Sequence, residues 1–178
     1  MKTILPTLLF LILTSITTTN LNGQTSSYNF NSSSSTFTAI TGGTVLGTIA
    51  NDEQVFNNNT TGETAPQTDI GFPIGFNFYY NGAYYSSFAV STNGWIMLGN
   101  GTFTIGKASN PISISTVSGF ANIISAFGRD LEGQTGSQLS YLLTGSEPNR
   151  VLVVQWLGYD KFNSTSGESY TFQIRLNE

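Results

Sequence analysis

Two small constellations in this chain have the residue types that chemistry asks for. Asp130 and Glu132 stand two apart, so a strand or a strand end would turn both carboxylates to one face. Such a pair could serve as acid and base on a glycoside, or offer oxygens to Ca²⁺. A calcium site takes about six to eight oxygens. No Asp-x-Asp-x-Asp run supplies them. The plainer expectation is a turn Asp, able to pair with Arg150, beside a solvated Glu. The second constellation is aromatic: Trp95, Trp156, Tyr79, Tyr84, Tyr85, Tyr159 and Tyr170 could form a sugar-stacking platform, with Tyr79 and Tyr85 foremost. Tyr79 and Tyr85 lie on either side of Asn81-Gly82, at positions whose expected register turns them away from the core. Exposed aromatic faces on a sheet can receive a sugar ring or a protein side chain. The plainer reading is that aromatics simply favour strands.

Much other chemistry is excluded outright. The 178 residues contain no His and no Cys. That removes disulfides, Cys or His zinc sites, and Ser-His or Cys-His nucleophile pairs. Six basic residues against ten acidic ones give a net charge of −4, without the basic footprint of a nucleic-acid binder. The glycines lack the Lys and following helix of a phosphate loop. No catalytic residues are expected, and no cofactor except the Ca²⁺ that Asp130 and Glu132 could attract.

The elements that would position these residues are strands. Ser, Thr and Asn together make 62 of the 178 residues, aromatics are 13%, and no segment repeats with a helical period. Phe72, Ile74, Phe76, Phe78 and Tyr80 alternate with Pro73, Gly75, Asn77 and Tyr79, which is a half-buried strand. After Asn81-Gly82, Tyr84, Ser86, Phe88 and Val90 alternate again. A two-residue Asn-Gly loop in regular pairing would put the two apolar sets on opposite faces. A three-residue loop, Tyr80-Asn81-Gly82, pairs Phe78 with Tyr84, Ile74 with Phe88 and Phe72 with Val90, and unites them. The expectation is therefore a type I turn with a bulge and Gly82 left-handed. Asn93-Gly94 makes the next turn, into Trp95–Leu98. Further strands are expected at 36–40, 44–49, 102–105, 122–127, 138–143, 151–157 and 169–176, with 107–119 mostly loop and Trp95 and Trp156 in the core. About ten short strands with two apolar faces imply an all-β, antiparallel β-sandwich, jelly-roll-like, with a closed barrel as the alternative.

Residues 1–24 read as a cleaved signal peptide: Lys2, then an apolar run from Ile4 to Leu13 that is too short to span a bilayer. Residues 25–35 read as a flexible lead-in, and 36–178 as the sandwich. Ending directly after a strong strand, the chain is expected to be a piece of a longer protein, with an open sheet edge. Export without Cys suits a bacterial secreted protein better than a disulfide-stapled animal module.

Four segments carry a resemblance. They are Gly71-Phe-Pro-Ile-Gly-Phe-Asn-Phe-Tyr-Tyr-Asn-Gly82, Phe88-Ala-Val-Ser-Thr-Asn-Gly-Trp-Ile-Met-Leu-Gly99, Asn122-Ile-Ile-Ser-Ala-Phe-Gly-Arg-Asp-Leu131 and Pro148-Asn-Arg-Val-Leu-Val-Val-Gln-Trp156. Together they resemble a β-sandwich accessory module of secreted multidomain bacterial (Bacteroidetes-type) surface proteins. They are similar, more distantly, to nidogen-like extracellular modules. The resemblance implies a non-catalytic module for surface attachment, or an accessory to a larger exported protein, with an extracellular glycan or protein surface as partner. It supplies no catalytic residues. The relatives it points to have an aromatic and then acids after Ala-Pro-Phe. Here Ser125-Ala126-Phe127 runs into Gly128-Arg129-Asp130, which puts an acid-dependent role there in doubt. The alternative function is a carbohydrate-binding module using its exposed Tyr side chains.

Overall fold

The computed structural model describes residues 28–50, 53–57, 67–101, 103–105 and 121–178. The expected signal peptide lies outside them, as do the whole loop at 107–119 and the acids Asp52 and Glu63. The chain divides into Met1–Asn31, of which only 28–31 is described, and Ser32–Glu178. The second unit is all β, and among the described residues there is no helix.

Nine strands form two antiparallel sheets, and two more form a ribbon. Sheet A has the order β1-β9-β10-β11, from Thr44–Thr48, Leu131–Thr144, Val151–Lys161 and Tyr170–Asn177. Sheet B has the order β2-β5-β6-β8, from Val55–Phe56, Ala83–Ser91, Trp95–Gly99 and Ile123–Ser125. β4 (Phe72–Tyr80) also pairs with β5, so β2 and β4 share that strand: β2 meets Ser91 and Val90, β4 the residues from Phe88 back to Ala83. The ribbon is β3 (Gln67–Asp69) with β7 (Phe103–Ile105). The layers bury Phe72, Ile74, Phe88, Leu139, Val154 and Trp156 between them, as a β-sandwich does.

The β4–β5 hairpin shows how the alternation is honoured by an unexpected route. The loop is the two-residue one: Tyr80 pairs with Ala83, Tyr79 with Tyr84 and Phe78 with Tyr85. Asn81 (φ 48°) and Gly82 (φ 82°) are both left-handed, the signature of a type I′ turn. The expected three-residue loop is therefore corrected, while the left-handed Gly82 stands. The apolar sets reunite further along. Pairing resumes at Pro73–Ser87 and Phe72–Phe88, so Ile74–Asn77 of β4 span a gap that β5 crosses with Ser86 alone. Across that bulge β5 changes phase and Phe88 and Val90 return to the core, whereas β4 alternates without a break. Gly75 sits in the bulge at φ 95°, where a Cβ would lie 2.5 Å from the Leu143 side chain.

Two other segments differ from expectation. Residues 36–40 form no strand. They cross the outer face of sheet A as an irregular strap, with Gln173 Nε2 donating to the Thr38 carbonyl (2.9 Å) and the Ile40 amide donating to Gln155 Oε1 (2.9 Å). The strap begins within the expected lead-in, because residues 32–35 already belong to the second unit. β9 runs 14 residues rather than six, its first rungs Leu131–Gly133 pairing with Lys161–Tyr159.

Candidate functional site

The outer face of sheet B has one covered end and one open end. At the covered end, Phe103 of β7 packs with Val55, Ala89, Trp95 and Met97. Gly71 and Gly99 leave room for it: a Cβ on either would come within 2.5 Å of the Phe103 ring. At the open end stands the tip of the β4–β5 hairpin. Tyr79 and Tyr84 pair directly across the strands, and both face solvent, 57% and 61% exposed. Their ring centroids are 5.1 Å apart and their planes 62° apart, an edge-to-face contact.

Of the two tyrosines expected to face outward, Tyr79 does so and Tyr85 does not. Tyr85 is half-buried and packs on the core. The reason is the bulge: the two-residue loop places 84, not 85, opposite 79, and the phase change comes only after Tyr85. The exposed partner is Tyr84. The signal that could have found it is Gly75, an isolated glycine inside a strand pattern, which marks a bulge.

Between the two ends, Asn77 and Pro73 of β4 and Ser86 of β5 are exposed. Two adjoining hollows lie along this line, of about 370 and 500 Å³, sharing Pro73 and Ser86. Asn100 walls the larger one. Its side-chain amide continues the β5–β6 ladder past the end of β6, with Oδ1 accepting from the Ser86 amide (2.8 Å) and Nδ2 donating to the Tyr84 carbonyl. Arg150 closes the smaller hollow. Its guanidinium donates to Gly75 O (2.7 Å) and makes a two-pronged ion pair with Glu178, near the Phe76 ring. Arg150, which the sequence offered to Asp130 as one partner, pairs with Glu178 instead. That contact holds the Glu178 carboxyl below its ordinary pKa and raises the guanidinium's, chiefly through the side-chain hydrogen bonds.

Asp130 and Glu132 lie elsewhere, at the start of β9. Asp130 is half-buried, its carbonyl accepts from the Phe162 amide (3.0 Å), and its Oδ1 is buried without a hydrogen-bond partner among the described residues. Glu132 pairs in register with Asp160, whose Oδ1 accepts from the Lys161 amide (2.7 Å). Among the described residues no three acidic side chains converge to hold a metal ion.

The second Asn-Gly turn is structural. Ser91, Thr92 and Asn93 are all buried. The Leu131 amide donates to Asn93 Oδ1 (2.8 Å), and the Trp156 indole donates to the Ser91 carbonyl (3.0 Å). The Ala126 amide donates to Gly94 O (3.1 Å). This turn bolts sheet B to β9 and β10 of sheet A, and so holds the scaffold under the hairpin.

A family model described as NIDO related matches residues 27–178. No curated protein and no solved structure matches the chain.

Proposed function

The chain belongs to the NIDO-related family, and from that premise we propose that it is a non-catalytic attachment module of a bacterial surface protein. In this reading the leader, residues 1–24, sends it out of the cell, and the β4–β5 hairpin touches the target. The family and the sandwich fit an extracellular module. The observation that carries the finer reading is the Tyr79–Tyr84 pair, two large aromatic side chains left in water at the tip of a hairpin whose base is locked into the core. Exposed aromatic rings set side by side on a sheet offer a contact surface for a sugar ring or a partner side chain. The sequence supports a non-catalytic role, since it offers no His or Cys for nucleophilic or metal chemistry.

The test uses the full chain expressed with its leader and recovered from outside the cell. Its intact mass should lack the first 24 residues or so. The fluorescently labelled product should stay on cell envelopes or extracellular matrix, and a Tyr79→Ser/Tyr84→Ser variant should wash off while melting normally. Equal retention of the two proteins would sink the reading.

A further inference from the structure

We propose that the open end of sheet B binds a single chain of a neutral, soluble polysaccharide, stacked on Tyr79 and Tyr84 and running along the hollows toward Asn100. This inference rests on the attachment reading above and names its ligand.

Four observations select that ligand. The first is the pairing of apolar ring faces with amides and hydroxyls. Tyr79 and Asn77 share the outer face of β4, and Tyr84 and Ser86 that of β5. A pyranose has the same mixture, C–H faces to stack and an equatorial ring of hydroxyls to bond. The second is charge. Arg150 is the one charged side chain among the described residues lining the two hollows, and Glu178 already neutralises it. The chain carries a net −4 besides. An anionic glycan or an acidic peptide would find no unpaired cation among the described lining residues and a repelling field. The third is shape. From Pro73 to Tyr79 the strand gives a track of roughly 20 Å at about 3.3 Å per residue. That suits a short run of sugars in extended form. The fourth is the ring geometry. Planes crossed at 62° cannot both lie flat on one crystalline surface, but they can hold two sides of one flexible chain.

The site is also built to stay put. Asn100 fixes the carbonyl of Tyr84 and the amide of Ser86, and Gly75 O is held by Arg150. The backbone beneath the two rings is thus held before a ligand arrives, which lowers the ordering cost of binding.

Affinity electrophoresis of the full chain through gels containing xyloglucan, galactomannan, soluble β-glucan or arabinoxylan tests the idea, with alginate and polygalacturonate as anionic arms and pull-down on crystalline cellulose as the flat-surface arm. Retardation is expected on at least one neutral gel and on neither anionic gel, with no depletion by cellulose. Tyr79→Ala and Tyr84→Ala should each weaken it about tenfold or more, a loss of roughly 1.4 kcal/mol. Val45→Thr, an exposed change on β1 in the other sheet, should leave it unaltered, and the melting temperature of each variant confirms that it folds. No retardation on any neutral gel, retardation on the anionic gels alone, or retardation indifferent to both tyrosines would overturn the inference. Periodate oxidation of the target cells separates the two readings. Tyrosine-dependent cell binding that survives oxidation leaves attachment standing and removes the glycan. Gel retardation without cell binding removes attachment and leaves the glycan.

Discussion

Sheet B turns twice on the same dipeptide, and the fold uses the two copies in opposite ways. At the hairpin tip, Asn81-Gly82 is exposed: two left-handed residues that let Tyr79 and Tyr84 face each other. At the far end of β5, Asn93 is fully buried and contributes its side chain, which accepts from Leu131 in the opposite sheet. There only Gly94 is left-handed (φ 81°) and the loop is Thr92-Asn93-Gly94, between paired Ser91 and Trp95. An Asn-Gly signal therefore specifies a local bend, and packing decides whether the bend is a free tip or a bolt.

The glycines should separate the two turns most widely. An Ala Cβ at position 94 would sit 2.8 Å from the Phe127 carbonyl oxygen, on top of the strain of a positive φ. Gly94→Ala should cost about 2–4 kcal/mol. Gly82→Ala meets the backbone strain at an exposed site, about 1–2 kcal/mol. Denaturant midpoints at unchanged slope measure both. Equal losses would show that the Phe127 contact yields easily, and would break the contrast.

Next come the asparagines. Replacing each by Gly leaves the backbone conformation accessible, including the left-handed one that Asn81 adopts, and removes the side chain. Asn93→Gly strands the buried Leu131 amide and should cost about 2 kcal/mol. Asn81→Gly should stay within about 0.5 kcal/mol, as surface changes usually do. Amide exchange at Leu131 should quicken in the first variant alone.

What could be read from the chain beforehand follows the same division between local and distant causes. The strand of residues 72–80 was visible because its alternation is a local pattern, and so was the left-handed Gly82. The register is not legible, because the choice between the two loops depends on whether the pairing is regular. The bulge at Gly75 supplies the needed phase change elsewhere, and its consequence is that Tyr84 rather than Tyr85 stands beside Tyr79. The strap was hidden for a different reason. Nothing local in residues 36–40 says that Gln155 and Gln173, more than a hundred residues on, will bond their backbone. The same holds for Arg150, whose partner Glu178 is set by the meeting of a strand start with a strand end.

At the exposed tip the comparison predicts a small effect of its own. Tyr79→Ala and Tyr84→Ala should each alter stability by less than about 1 kcal/mol, since neither ring is buried. A double-mutant cycle isolates their contact, which should be worth about 0.5–1 kcal/mol. A coupling near zero would mean that the rings do not hold each other, and would break the contrast with the packed turn.

The smallest effect belongs to charges at the surface, at the β10–β11 hairpin. There Glu168 accepts from Lys161 Nζ (2.7 Å) and from the Tyr170 hydroxyl. These bonds, Lys161's first, lower its pKa from 4.5 to about 2. The folded carboxylate thus resists protonation more than the unfolded one. Its contribution is fully present above pH 4.5 and is lost as the pH falls from there toward 2. Because the pair lies in open solvent, screening keeps that contribution slight. Glu168→Gln should therefore leave the melting temperature at neutral pH almost unmoved and flatten the decline between about pH 4.5 and pH 2 a little. High salt should erase the difference between the two proteins. A large drop at neutral pH would instead mark this exposed triad as a bolt like Asn93, and the rule that buried amides outweigh surface ion pairs in this sandwich would fail.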